Sequence, residues 1–586
     1  MTDPYGSRTP SPIDALADAQ VDAAAALDPV YATFAGIRGH DDRLTDCSPA
    51  GHAARADLAR RTLAELERLT PTDAVDTVTA AALQERLRLA VEQHEAGLDL
   101  ANLNNIASPV QTLREVFDVA PTATVEDWQD IAARLEALPD ALGGYTAGLR
   151  SALATGWRPA IRQVRAAAGQ AGEFAADGGF FSTFARRPVT EQGAPVPAAV
   201  AHRVRAGAGV AAAAYGELAG WLTAELAPVA RPDDAVGREL YPLHARGFLG
   251  TTVDVDETYT WALEELARIE DRMAAIARAL APDATGPTDQ VLAAGIAALD
   301  ADPARRITGA EAFRDWMQAL SDGAIQALSG THFDIPQPLH RLVCRIAPST
   351  SGAVYYTAPS EDLSRPGQMW WAVPSGVDSF STWQETSTVY HEGVPGHHLQ
   401  TGHLVVIGAG LNRWRRLWCW TSGHGEGWAL YAERLMEELG FLDDPGDRMG
   451  MLDAHALRAC RVVVDLGVHC GLTAPPEVGG GIWDADRAWA FLRRHTRLPD
   501  PNLRFELDRY LGWPGQAISY KVGERVWLDL REQTRARLGA AFSLRDFHRR
   551  ALDVGSVGLD VLRAALLPPL DDRPDGLDDG GREVRA

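Results

Sequence analysis

The strongest constraint on the fold is the spacing of apolar side chains over residues 261–280. Leu263, Leu266, Ile269, Met273, Ile276 and Leu280 recur at steps of three and four, and Glu264, Glu265, Arg268, Asp271, Arg272 and Arg278 fill the positions between them. Such a segment predicts an amphipathic helix with one buried stripe and one wet face. Similar patterns over 83–98, 128–138 and 204–226, set apart by Pro, Gly and Asp, predict helix after helix before about residue 335, with no fixed-period repeat. A chain of 586 residues can bury a large core. The expected fold class is mostly α, a large two-lobed helical array around a deep cleft.

The texture changes over 336–374. Short β-branched or aromatic stretches at 339–346, 353–356 and 368–373, bounded by Pro, Ser and Gly, predict a small antiparallel sheet near 339–373, whose edge could pair with an extended peptide. Helices resume at Thr382, where Thr382-Trp-Gln-Glu385 has the form of a capping box, and continue to about 567. The expected organisation is an N-terminal helical lobe over 1–335, a metal-binding catalytic lobe over 336–570 and a disordered acidic tail over 571–586.

Seventy-nine acidic against 56 basic residues give a net charge of −23, which repels a phosphate backbone and excludes nucleic acid as an expected partner. The first 27 residues have neither a basic start nor an uninterrupted apolar core, so no secretory signal is expected. The least charged stretch, 206–215, is far shorter than the ~20 apolar residues of a membrane span. Five scattered cysteines do not make a disulfide framework, and a reducing, cytoplasmic location is expected.

Seven of the sixteen histidines fall between His391 and His469, and the first three stand in Tyr390-His-Glu-Gly-Val-Pro-Gly-His-His-Leu-Gln400. In the common zinc-hydrolase pattern His-Glu-x-x-His, two ligands four residues apart share a helix face, and the Glu between them is aimed at the reacting water. Here the fourth position is Pro395, which cannot donate to the His391 carbonyl, so the helix must kink or bulge. In a straight helix His398 would share the His391 face but lie about 10.5 Å up the axis. A Pro-Gly bulge brings His397 to the second ligand position, with His398 in reserve. Glu426, between two glycines in Gly423-His-Gly-Glu-Gly-Trp-Ala-Leu-Tyr-Ala-Glu433, is the favoured third ligand, and Glu433 is placed behind the ligands.

These segments resemble the bacterial family carrying the domain of unknown function 885, through the His391 to His397 motif and Glu426-Gly-Trp-Ala429. Arg461-Val-Val-Val-Asp465-Leu-Gly-Val-His469, Pro514-Gly-Gln-Ala-Ile-Ser-Tyr-Lys521, Phe547-His548 and the Gly555 turn carry the likeness further, over roughly 350–566. That family in turn is similar to helical, gluzincin-type metallopeptidases with two His and one Glu on zinc.

Arg461, Asp465 and His469 are spaced to line one helix face, where His469 could polarise a substrate carbonyl; the same residues could equally fix helix packing. Tyr520 is a second candidate to hold an oxyanion. Lys521 is the only lysine among 56 basic residues, and it is expected to line the cleft and contact a substrate carboxylate or oxyanion. The expected function is a Zn2+-dependent hydrolase of a peptide or small amide, with Glu392 moving a proton from water to the leaving amine. The alternatives are a mononuclear Fe(II) oxygenase with a two-His, one-carboxylate triad, or a non-catalytic metal- or peptide-binding protein. An acid directly beside the first His speaks against both.

Overall fold

A computed structural model describes residues 8–347 and 354–567. The expected tail over 571–586 and Ala353 lie outside the described residues. The fold is predominantly helical, with two small sheets. The predicted helix at 261–280 is the helix Val255–Leu280, started by Asp254, whose side chain accepts from Glu257 N–H. Leu266, Ile269 and Met273 are buried along it as the periodicity requires, and the stripe packs on the helix Pro445–His469. The patterns at 128–138 and 204–226 fall within the helices Val125–Ala154 and Ala198–Trp221, the latter prolonged by a π turn, Leu222–Leu226, and the pattern at 83–98 lies on the helix Ala74–Glu95 but overruns its end by three residues. Pro139 does not end its helix.

Among the described residues the apolar core forms two clusters. One joins side chains between Val30 and Leu226; the larger takes in side chains from Ile13 to Val21, from Ala59 to Leu87 and from Tyr241 to Phe333 together with the helices after Thr382, so it runs across residue 335. Among the described residues, no helix is long and apolar enough to cross a membrane.

The sheet near 339–373 is present but mixed. Gly367–Trp371 is its middle strand, parallel to Leu342–Ile346 and antiparallel to Tyr355–Thr357. The chain therefore does not run as a meander: Tyr355–Thr357 crosses to the far side of the later strand. A second pair, Arg306–Thr308 with Ser379–Ser381, is antiparallel and ties the segment before the motif to the earlier helices. The motif helix Thr382–Glu392 begins without the expected capping box. Ser381 is its N-cap and makes no side-chain cap bond, while the Thr382 hydroxyl donates to the Arg305 carbonyl.

Candidate metal centre

The His-Glu-x-x-Pro-Gly-His segment breaks the helix outright. The motif helix stops at Glu392 and a second helix, His397–Val406, starts after a four-residue turn. Gly396 is required there by close approach, because a Cβ would lie 1.9 Å from the His391 carbonyl oxygen. The turn is held from the helix Ser422–Glu438, where Trp428 Nε1–H donates to the carbonyls of Pro395 (2.8 Å) and Gly396 (3.3 Å). Gly427 lets that helix seat against Ser519–Leu538, since a Cβ would meet Gly523 at 2.5 Å. The Glu-Gly-Trp triplet thus has three separate jobs: a carboxylate for the site, a close helix contact and a clamp on the turn.

This local geometry brings His391, Glu392 and His397 together, with one ligand atom from each within 4.8 Å of the others, a group that could hold a metal ion. Glu426 joins them: its Oε2 lies 3.4 Å from His391 Nε2 and 3.7 Å from His397 Nε2. Zinc-like ions hold N and O ligands at ~2.0–2.2 Å, which sets tetrahedral ligand pairs about 3.3–3.6 Å apart, so these spacings suit such an ion. His391 is oriented from behind, its Nδ1–H donating to Glu433 Oε1 at 2.8 Å, which turns Nε2 toward the group.

The electrostatics also call for a cation. Burial opposes charge on His391, yet Glu426, Glu433 and Glu392 lift its pKa to about 10. Burial likewise opposes the Glu426 carboxylate, which His391 and His397 nevertheless hold well below its ordinary range. Three carboxylates crowd two imidazoles, and a proton supplies the positive charge that a divalent ion would supply more fully.

Other expected site residues are engaged elsewhere. His398, the reserve ligand, is fully buried, with Nδ1 on the Tyr356 hydroxyl at 2.9 Å and Nε2 on the Leu339 carbonyl at 3.0 Å; the helix break turns it away from His391. His469, expected to polarise a substrate carbonyl, is 0% exposed and bonds the Tyr510 carbonyl at 2.9 Å. Asp465 accepts from the Tyr241 hydroxyl and from Gly515 N–H, and Arg461 donates to Tyr510 and Glu506. Tyr520 is half-buried, with the Arg461 guanidinium 4.7 Å above its ring. Lys521 does not line a cleft: it is 0% exposed and bonded to Glu265, Glu524 and His455. Glu265, expected on the wet face of its helix, is buried instead, His455 is the core histidine its isolation predicts, and Glu524 carried no signal in the sequence; only the solitude of Lys521 pointed to the cluster.

The chain belongs to the family described as bacterial protein of unknown function (DUF885), whose model matches residues 29–566. No curated protein matches it. Among solved structures it is similar to a candidate lipoprotein from Colwellia psychrerythraea, with a TM-score of 0.81 and 22% identity over 94% of this chain and 98% of that one. It is also similar to a candidate lipoprotein of unknown function from Shewanella oneidensis, with a TM-score of 0.75 and 17% identity over 95% and 100% of the two chains. These two descriptions overturn the cytoplasmic expectation. The cysteine argument behind it was not diagnostic, because all five thiols are buried and unpaired, and such thiols are inert in either redox compartment.

Proposed function

We propose that this protein is a metal-dependent hydrolase of a peptide or amide bond, with zinc the ion best matched to its donors. The observation that carries the reading is the meeting of His391, His397 and Glu426 at 3.4 and 3.7 Å with a second carboxylate, Glu392, alongside. His391, His397 and Glu426 would hold the ion. When bound, it would acidify a water and polarise the scissile carbonyl. Glu392 stands farther from the histidines than Glu426 does, which leaves its carboxylate to take a proton from the attacking water and deliver it to the leaving nitrogen.

Elemental analysis of the purified chain, followed by incubation with a mixed peptide library read by mass spectrometry, tests this reading. About one zinc per chain and chelator-sensitive cleavage are expected. Absence of cleavage by the zinc-loaded chain would reject it.

A further inference from the structure

Behind His391 a line of buried polar groups crosses the core to the chain's single lysine. His391 Nδ1–H donates to Glu433 Oε1; Glu433 Oε2 faces His455 Nε2 at 3.7 Å; His455 Nδ1 lies 3.2 Å from Lys521 Nζ. Lys521 also donates to Glu265 Oε1 at 3.0 Å and Glu524 Oε2 at 2.6 Å. Five elements supply these groups: Val255–Leu280, Thr382–Glu392, Ser422–Glu438, Pro445–His469 and Ser519–Leu538.

The chemistry of the donors fixes the direction of every proton on this line. An ammonium between two carboxylates has three donors and no acceptor; at 3.2 Å it is nearer to His455 Nδ1 than Glu524 Oε1 is at 3.7 Å, so it takes the Nδ1 lone pair and the His455 proton sits on Nε2. That Nε2–H faces Glu433 Oε2, and these two atoms are both buried and otherwise without a hydrogen bond. Glu433 is thereby kept as an acceptor on both oxygens, which holds a proton on His391 Nδ1 and makes Nε2, the nitrogen that faces Glu426, the one that exchanges its proton for a metal ion. Burial and the nearby Lys521 charge also keep His455 neutral, with its pKa well below the ordinary value. Three acceptors around one nitrogen suit a compact ammonium and not the planar fork of arginine, which accounts for one lysine in a chain that otherwise uses arginine.

We infer that Lys521 is a positioning residue that sets the tautomer of the metal-binding His391 through His455 and Glu433. The inference rests on the reading of His391 as a metal ligand. Chelator-competition titration of the full chain with Zn2+ tests it. Lys521→Met is expected to weaken Zn2+ binding roughly 10- to 100-fold, and Lys521→Arg is expected not to restore it. Because methionine leaves Glu265 and Glu524 with Arg434, 3.7 Å from each, as their remaining shared cation, Lys521→Met/Glu524→Gln is titrated alongside. Long-range 1H–15N correlation of the imidazoles in the unsubstituted chain gives a readout that needs no variant: His455 is expected with Nδ1 bare and Nε2 protonated. A His455 proton on Nδ1, unchanged Zn2+ affinity in the folded double variant, or full affinity in Lys521→Arg overturns the inference. His391→Ala separates the two levels. Unchanged Zn2+ binding in that variant rejects the metal site itself, whereas loss of binding there with none in the Lys521 variants rejects only the relay.

Discussion

The helix Pro445–His469 carries two buried polar networks with opposite relations to the candidate site. Near its middle His455 faces Glu433 and, through it, His391; toward its end Arg461, Asp465 and His469 close on Tyr510, Glu506, Tyr241 and Gly515. The two look alike in sequence, each a His with charged neighbours at helical spacing. They differ in access. In the first the histidine and carboxylate at the far end keep some exposure, 15% for His397 and 19% for Glu426, while in the second the histidine and carboxylate, His469 and Asp465, show none and only the Arg461–Glu506 pair reaches 10% and 13%. A polar network becomes a site when its histidine and carboxylate open to a ligand; sealed around them, it specifies packing.

Substitutions can break this comparison, and removing a ligand should have the largest effect on turnover. His391→Ala or Glu426→Ala is expected to strip the ion and all activity, and His397→Ala to do the same while His398→Ala retains metal; metal content by mass spectrometry separates them. Loss of metal from His398→Ala alone would exchange the two histidines' roles. Next, Glu392→Gln should keep its metal yet lose on the order of 10²- to 10⁴-fold in kcat, because the amide cannot accept a proton. Near-normal turnover in that loaded variant would remove Glu392 from the mechanism. A smaller effect is expected for Glu433→Gln, which keeps the shape behind His391 but weakens the acceptor, costing roughly 10- to 100-fold in metal affinity.

What could be read from sequence followed the range of the interaction. Apolar periodicity is local, so the helix Val255–Leu280 was legible; so was the His391–His397 pair, because a proline at the fourth position forbids the usual spacing. The preference for His397 over His398 also came from Pro395, although the chain answers it with a full helix break instead of a bulge. The parallel pairing of Leu342–Ile346 with Gly367–Trp371 was not legible, since strand order depends on a crossover that no hairpin signal marks. Lys521 drew notice by composition, but its partners Glu265 and His455 lie 256 and 66 residues away in the chain. Composition could suggest a role for Lys521, and spacing on one helix a role for His469, without saying which side of the fold either would face.

The last prediction concerns the sealed network, where turnover should not change at all. Burial raises the pKa of Asp465 to about 7, against the opposing pull of the Tyr241 hydroxyl and Gly515 N–H. In the unfolded chain the same carboxyl titrates near ~3.9. Between those values the folded protein keeps a proton that the unfolded chain has released, so this contribution to stability is full below about pH 4 and is lost as pH rises through about 7. Three pKa units at ~1.4 kcal/mol each bound the loss at about 4 kcal/mol. Asp465→Asn removes the titration. Urea unfolding at several pH values between 4 and 8 should therefore show the wild-type chain losing stability relative to the variant as pH rises, with kcat/KM equal in the two. A fall in kcat/KM without a change in stability would mean that the far end of the helix touches the chemistry after all, and the contrast between its two networks would be lost.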